Sequence, residues 1–567
     1  MSNAFHHALS AGYAHLAAWG DLLDRINVFP VADGDTGRNL MQTLSPLRHP
    51  ERNMDDTIRD LLFHARGNSG NIASAFFQAF IREGAQSLGD AVLQGRDNAW
   101  KAVPDPRPGT MLTFFDALAD SCRLSWNQET IKERLFYLAE AVRGTVEQQD
   151  KLRQAGVVDA GALGMYLFFE GFFPQFLHVD FTVPSMTEKF GDLVQIDASY
   201  QGEADQGYCI DAIYKGTLQE SGEIFSSLGE SVITYQEGDC LKVHFHTQNK
   251  EDARRRLASS GKIVHWSEDD LYVQTKEFNT SAKRGPIHIM TDAAGSLTRE
   301  EARRRNITLL DSYVNINNLS LPETCLAAND LYTAMRAGIK VSTAQASRME
   351  RFCCYERVME SYEQVLYLCV GSVYTGNYQT VLDWKKDYDQ KGRMTVIDTG
   401  AASGRLAVLV MAAASFAEQA ASPQEVIDFS ERAVNRAEEY IFLDRLEYLA
   451  AGGRLSKTSA FLGDLFGMKP VVTPAADGAR KVGLCRARKD QEKFARKVLE
   501  QKLKKEEKAL ILLEYSDNAH ELEGLAEVLQ QTYSGSHLMF APLSLTSGAH
   551  MGPGTWAIAF LPPERSS

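Results

Sequence analysis

From Ile287 onward the chain alternates short apolar runs with helical patterns: IHIM, ITLL, VLYLCVG, MTVIDTG, ALILLEY and TWAIAFL. This feature restricts the fold most. Apolar runs of this length bury themselves by pairing into sheets, and helices between them supply crossovers, so the pattern predicts α/β layers with parallel strands. The first third has another texture. IKERLFYLAEAVRGTVEQQDKL, starting at Ile131, carries apolar residues at three- and four-residue spacing, as does the segment around Asn71–Phe80, so residues 1 to about 190 read as mostly helical. Glycine and proline gather there in FPVADGDTG, ARGNSG, DPRPGT and AGVVDAGALG, which a helical bundle with its loops at one end would bring together.

The texture changes again near Phe181. Between Gln206 and about Gln274, alternating β-branched runs (SVITYQ, LKVHFHT) surround one amphipathic helix, EDARRRLASSG, and predict a small α/β domain. The polar stretch KEFNTSAKRGP then reads as a linker. The expected domains are residues 1–190, 200–276 and 285–565 of a 567-residue chain. A chain of this size is expected to hold roughly three or four domains.

Composition narrows the class. Apolar residues at 44% and charged residues at 24% are those of an ordinary globular protein. A net charge of −14 argues against a long nucleic-acid groove, so no nucleic-acid partner is expected. The eight cysteines are scattered and form no CxxC pair, which argues against a disulfide framework or a zinc ribbon. The start of the chain lacks a basic region followed by an apolar run, and LAVLVMAAASFA after Arg405 is too short to span a bilayer. The expectation is a cytoplasmic protein with no integral membrane segment.

In NVFPVADGDTGRN, Asp33 and Asp35 flank one glycine, with Asn27 upstream. Closely spaced carboxylates on a glycine turn can chelate Mg²⁺ while a nucleotide supplies the remaining oxygens. Taken alone, the tripeptide reads equally as an acidic surface turn. Further glycine loops add weight. ARGNSGN, with Ser69 and Gly70, opens a helical pattern where backbone N–H groups form an anion site. GTMLT places Thr110 at another helix start, and GVVDAGALG contains Asp159. In the middle segment, His244 and His246 lie two apart and point to one face of a strand. A cysteine on a neighbouring strand, Cys209, could complete three soft ligands for Zn²⁺. The plain alternative is a polar face beside a small buried cysteine.

Together, in this order, NVFPVADGDTGRN, ARGNSG, GTML and GVVDAG resemble the nucleotide-binding domain of the dihydroxyacetone-kinase L-subunit family, in its fatty-acid kinase branch. The resemblance implies an all-α eight-helix barrel kinase domain with ATP and Mg²⁺ at one rim. Asn27, Asp33 and Asp35 would be the metal ligands, and Asn39, Ser69, Gly70, Thr110 and Asp159 would line the nucleotide side. Arg38 departs from the small polar residue usual at its place. GYCIDAI and LKVHFHT are similar to the middle domain of the same kinase, which draws Cys209, His244 and His246 together as a candidate zinc set or as direct participants in phosphotransfer.

Residues 287–563 resemble the DegV family through IHIMTDAAGSLT, STAQAS, VGSVYTGNYQ, VIDTG, LEYLAAGGRLS, MKPVVTPAADG and HMGPG. This implies a two-lobed α/β fold with a fatty acid between the lobes. Its carboxylate would meet Thr343, Thr375, Arg454 and His550. The ordinary alternatives are a turn threonine at 375, a surface cation at 454 and a loop histidine at 550. Ala344 and Ala346 replace a serine and a proline of the family pattern. Burying the tail is worth roughly 0.8 kcal/mol per CH₂, and each hydrogen bond to the charged head about 1.5–3 kcal/mol. The tail therefore supplies affinity, and the head contacts supply orientation.

The resemblances predict an enzyme that converts ATP and a fatty acid to ADP and an acyl phosphate, with an acyl-phosphate-using acyltransferase downstream. Asp33, Asp35, Asn27, His550 and Arg454 would take part in catalysis. The alternatives are a lipid-binding or regulatory protein with a silent kinase domain, and a glycerone-type kinase. The stretch Lys276–Gly285 spans at most roughly 33–36 Å when extended. The resemblance to the fatty-acid kinase implies a dimer, and with so short a stretch the expectation is a homodimer that delivers lipid to the partner's kinase rim.

Overall fold

The computed structural model describes residues 2–84, 87–123, 126–180, 183–197, 199–200, 207–215, 225, 227–271, 285–317, 319–451, 468–475 and 478–564. The chain divides into two compact units, Met1–Thr280 and Ser281–Ser567. Most of the expected linker KEFNTSAKRGP, and Arg454, lie outside the described residues.

The first unit begins with helices. Four of them start where a short polar side chain satisfies one of the first free N–H groups. Asn53 caps Met54–His64, Ser87 caps Leu88–Ala102, Thr110 caps Met111–Ser121 and Asp159 caps Ala160–Leu177. The core of this region is aromatic. Phe76 and Phe77 of the helix Gly67–Gly84, Phe115, and Phe168 and Phe169 of Ala160–Leu177 are buried and in ring contact. Glycines set the closest approaches. A Cβ at Gly12 would lie 2.7 Å from the Phe168 carbonyl oxygen, and one at Gly171 2.8 Å from that of Ala11, so Ser2–Ala18 and Ala160–Leu177 pack nearly backbone to backbone.

Where a small α/β domain is expected, between Gln206 and Gln274, the same unit holds a four-stranded antiparallel sheet. Its strands are β1 (Tyr208–Lys215), β2 (Glu230–Glu237), β3 (Cys240–Thr247) and β4 (Lys262–Asp270), in the order β2-β3-β1-β4. Ile210, Ala212, Leu241, Val243 and Phe245 form one face and pack against Ala253 and Leu257 of the helix Lys250–Ser260. The opposite face carries Cys209, Asp211, Lys242 and His244, all buried. Ile233 and Tyr235 of β2 pack against Leu62, Ala65, Ala75 and Ala102 of the helical region. Both faces of β1 are therefore covered.

Among its described residues the second unit contains three sheets. β5 (His288–Asp292), β6 (Thr308–Leu310), β10 (Val365–Cys369) and β11 (Met394–Asp398) form a parallel sheet in the order β11-β10-β5-β6. β7 (Tyr313–Ile316), β8 (Leu319–Pro322) and β9 (Val341–Ala344) form a small antiparallel sheet. β12 (Glu438–Phe442), β13 (Lys469–Ala475), β14 (Gly478–Cys485), β15 (Leu510–Tyr515), β16 (His537–Pro542) and β17 (Trp556–Leu561) form the largest, ordered β14-β13-β12-β17-β15-β16. Parallel pairing, expected throughout, holds in the first sheet. In the largest sheet only β15 and β16 are parallel, because β17 inserts antiparallel between β12 and β15, and β13 doubles back on β14. The helix Ser403–Ala417 packs against residues of both large sheets, with Leu406, Leu409 and Val410 in one core with Val365, Leu368, Leu512 and Ala559. A helix buried on most sides reads as an unbroken apolar run, which accounts for LAVLVMAAASFA. No helix among the described residues is long and apolar enough to cross a membrane.

Candidate functional site

The acidic turn precedes a helix. Asp35 is the N-cap of Thr36–Leu44, and its carbonyl accepts from the Asn39 N–H at 2.8 Å. The turn is held close: a Cβ at Gly37 would lie 2.0 Å from the Gly20 carbonyl oxygen. Asn27 donates its side-chain N–H to Asp33 Oδ1, which leaves the Asn27 amide oxygen for another partner. Burial, and next the neighbouring Asp35, push the Asp33 carboxyl well above the usual carboxylate range. Arg38 sets its guanidinium 3.7 Å from Asp35. Two crowded carboxyls beside one amide oxygen are a donor set that a hard divalent cation would relieve, so Asn27, Asp33 and Asp35 fit Mg²⁺.

The loop Ala65–Gly70 lies against this turn. Gly67 opens an 18-residue helix at φ +59°, where a side chain would be strained. A Cβ there would also lie 2.1 Å from Asn39 Nδ2. Arg66 N–H donates to Thr43 Oγ1 at 3.2 Å, and a Cβ at Gly70 would come 2.3 Å from the same oxygen. Gly70 is therefore a packing glycine that seats the helix start on Thr36–Leu44. Ser69 is half-buried in the first turn of its helix.

The sheet brings in the cysteine and histidines. Cys209 stands opposite His246, and Asp211 opposite His244, across β1 and β3. Ligand atoms of Cys209, His244 and His246 all lie within 4.8 Å of one another. His244 is fully buried, and neither ring nitrogen has a well-directed hydrogen-bond partner, although Nδ1 lies 3.3 Å from Asp211 Oδ1. Burial, then His244, holds the His246 imidazole down to about 3, so it is neutral. Burial, then the carboxylates of Asp211, Asp35, Asp269 and Asp33, pushes the Cys209 thiol up. A buried orphan nitrogen, a neutral imidazole and a thiol that needs a cation to ionise together fit Zn²⁺. The carboxylates that act on Cys209 include both acids of the turn, and Val31 of the turn packs against Cys209 and Leu271. The two motifs that read as separate in sequence thus share one site.

Asp211 was not among the residues singled out from sequence. Burial opposes its charge, but Lys242, His244 and Arg66 hold it well below the usual carboxylate range. Burial lowers the Lys242 ammonium to about 8. Lys242 donates to the Ala65 carbonyl at 2.8 Å, and Arg66 Nη2 lies 3.1 Å from His265 Nε2.

Thr110 and Asp159 serve their own helices first. Thr110 Oγ1 accepts from Leu112 N–H at 3.3 Å, and Asp159 Oδ1 from Ala162 N–H at 2.7 Å. Burial raises the Asp159 carboxyl to about 7. A Cβ at Gly161 would lie 3.0 Å from Met111 Cε, so these two helix starts adjoin. Lys151 ties this side to the acidic turn through the Pro30 carbonyl at 2.8 Å.

In the second unit, Thr343 on β9 lies 2.9 Å from His550 Nε2. Thr375 donates to Asn377 Oδ1 at 3.2 Å and accepts from Gln345 Nε2. Asn377 donates to buried Asp292 at 2.8 Å, which also takes Arg351, the Tyr367 hydroxyl and the Val370 N–H. Gln345, Asn377 and, through Asn377, Asp292 thus anchor Thr375, one of the expected head-group residues. Sequence reasoning missed them, although Asp292 stands in TDAAGS and Gln345 in STAQAS.

Comparison with known proteins now bears on these sites. A family model for the DAK2 domain matches residues 30–173, and one described as an uncharacterised protein of the DegV family matches residues 286–563. An uncharacterised protein of Staphylococcus saprophyticus is 27% identical over 321 residues, 51% of this chain and 58% of that protein. The matched stretch therefore takes in little more than half of that relative's length. A DegV domain-containing protein of Clostridium perfringens is 27% identical over 280 residues, 48% of this chain and 96% of the relative. Among solved structures, a fatty-acid-binding DegV-family protein from Thermus thermophilus matches with a TM-score of 0.46 and 23% identity, covering 49% of this chain and 100% of that one.

Proposed function

For a chain that carries a DAK2 domain and a DegV-family domain, we propose an ATP-dependent fatty-acid kinase. The observation that carries the reading is the shared site of the first unit, where Asp33 and Asp35, the loop at Gly67 and the trio Cys209, His244 and His246 converge. The helical region is read as the eight-helix barrel, and the four-stranded sheet as its middle domain.

In this reading a fatty-acid carboxylate oxygen attacks the γ-phosphorus of ATP. The bond from that phosphorus to the β,γ-bridging oxygen breaks, ADP leaves, and acyl phosphate forms. The nucleophile is already an anion, so no strong general base is needed, and catalysis rests on placement and charge. Mg²⁺ held by Asn27, Asp33 and Asp35 would offset charge on the phosphates. Beyond the Gly67 N–H, which the Asp211 carboxylate takes, the N–H groups in the first turn of Gly67–Gly84 suit a phosphate, and Ser69 adds a hydroxyl beside them. In the DegV-family domain, Thr343, His550 and Thr375 present hydroxyl and imidazole groups for the lipid carboxylate.

The test has two parts. Mass spectrometry of extracted protein identifies a co-purified fatty acid. Trapping with hydroxylamine, after ATP and that acid are added, converts acyl phosphate to a hydroxamate. ATP- and Mg²⁺-dependent hydroxamate supports the kinase, and its absence with lipid still bound supports the second reading. That second reading is a lipid-binding or regulatory protein with a silent kinase domain. Arg38 favours it, because its guanidinium occupies the approach to Asp35.

A further inference from the structure

Strand β1 sends Cys209 and Asp211 to the same face, one into the cysteine–histidine trio and the other toward the glycine loop. The Asp211 carboxylate meets four groups at once. Its Oδ2 accepts from the Gly67 backbone N–H at 3.0 Å, and its Oδ1 from the Asn71 side-chain N–H at 2.7 Å. The same Oδ1 lies 3.3 Å from His244 Nδ1 and 3.5 Å from Lys242 Nζ. Asp211, Asn71, Lys242 and His244 are all buried, so no water shell absorbs a change at one of them. On its other side Gly67 leaves no room for a Cβ against Asn39, whose backbone N–H is tied to Asp35.

We propose that Asp211 is a positioning residue that couples the cysteine–histidine trio to the nucleotide loop. This rests on the phosphotransfer reading for the identity of the nucleotide. The carboxylate, 3.3 Å from His244 Nδ1, would accept from that nitrogen once a cation ligates the ring, which leaves Nε2 for the trio. It also fixes the first N–H of the phosphate-binding helix. A soft divalent cation in the trio draws on His244 Nε2 and so strengthens the demand of Nδ1 on Asp211. The hold of Asp211 on Gly67 then adjusts. By linkage, nucleotide at the loop changes the affinity of the trio for the cation by the same factor. An asparagine cannot replace this carboxylate, because one of its two acceptors becomes a donor facing N–H groups.

The test uses the full-length chain with cobalt(II) as the cation. Thiolate-to-cobalt absorption reports occupancy of the trio, and a fluorescent ATP analogue reports the loop. In the unaltered protein, cobalt affinity is expected to change by about fivefold or more when nucleotide is present, the lower end for coupled sites. In Asp211→Asn each ligand still binds, but the ratio falls toward one. Independent binding in the unaltered protein overturns the proposal, as does an undiminished ratio in Asp211→Asn. If Asp211→Asn fails to fold, Asn71→Ala decides, since it removes one short bond to the carboxylate. A reduced ratio there supports the coupling, and an unchanged one overturns it. Coupling without acyl phosphate would overturn only the kinase reading, whereas failure of the nucleotide to bind would overturn both.

Discussion

Thr343 and His550, 207 residues apart, meet at 2.9 Å between Oγ1 and Nε2. β9 supplies the threonine, and the helix Leu545–Met551, which packs against that strand, supplies the histidine. A carboxylate set beside the pair could accept from the Thr343 hydroxyl while that oxygen accepts from His550 Nε2. Thr343→Val should therefore weaken binding of a fatty acid by roughly 1.5–3 kcal/mol, about 10- to 150-fold, the range for a hydrogen bond to a charged group. Thr375→Ala should act in the same direction. The neutral alcohol with the same tail should lose much less, because its tail supplies the affinity. Titration with both ligands checks this, and equal losses would mean a damaged cavity.

Glu323 makes the same helix sensitive to pH. Its Oε2 accepts from the backbone N–H of Thr546 at 3.1 Å and from its hydroxyl at 2.9 Å. Burial raises its carboxyl to about 8 from an ordinary value of 4.5, with the Thr546 bonds acting the other way. Between those two pH values the folded chain keeps a proton that the unfolded chain has lost. The stabilising contribution is full below pH 4.5 and is lost as pH rises through 8, on the order of 5 kcal/mol. Glu323→Gln carries no such proton. Amide hydrogen exchange in Leu545–Met551 should quicken between pH 5 and pH 8 in the unaltered protein, beyond the intrinsic base catalysis, and the excess should vanish in the variant.

What was legible in the sequence was local. The glycine loops were found because each starts a helix, and the caps at Thr110 and Asp159 act within three residues. The histidine pair was legible because strand periodicity is 2. Asp211 escaped because nothing in GYCIDAI marks its aspartate, and its partners Gly67 and Asn71 lie 144 and 140 residues away. Gln345 and Asp292 escaped for the same reason. The directions of the strands in the largest sheet were not legible either. An apolar hexamer such as WAIAFL reads alike in either direction, and only the place where β17 inserts decides.

Gly37 should tolerate no side chain. The contact that a Cβ would make at 2.0 Å is with the Gly20 backbone, which cannot rotate away. Gly37→Ala should cost about 1–3 kcal/mol as an overpacking change and shift the acidic turn. Gly89→Ala is the control, because its Cβ would meet only the Cys122 carbonyl oxygen at 3.6 Å. It sits in the helix Leu88–Ala102, where alanine is favoured over glycine by up to about 1 kcal/mol. Thermal unfolding of both variants should give shifts of opposite sign.

Asp33→Ala or Asp35→Ala should abolish ATP-dependent phosphorylation while lipid binding stays unchanged, since those residues lie in the first unit and Thr343 and His550 in the second. Arg38→Ser should do the reverse to the cation site. Removing a guanidinium 3.7 Å from Asp35 should tighten Mg²⁺ binding several-fold, more at low ionic strength than at high. Isothermal titration with Mg²⁺ at two salt concentrations checks this. Normal turnover in both aspartate variants would remove the metal assignment.

The last prediction concerns which chain receives the lipid. The stretch Lys276–Gly285 covers at most roughly 33–36 Å when fully extended. The four-stranded sheet stands in sequence between the helical region and the residues that match the DegV family model. Such a short tether favours delivery to a second copy of the chain over delivery within one. The test mixes an Asp33→Ala chain, defective in the first unit, with a Thr343→Ala/Thr375→Ala chain, defective in the second. Each should be inactive alone. Delivery between chains predicts that the mixture regains hydroxamate formation, approaching a quarter to a half of the unaltered level in proportion to the mixed dimers present. The activity should fall on dilution as those dimers dissociate. A mixture that stays inactive while mixed dimers are demonstrably present would place transfer within a single chain.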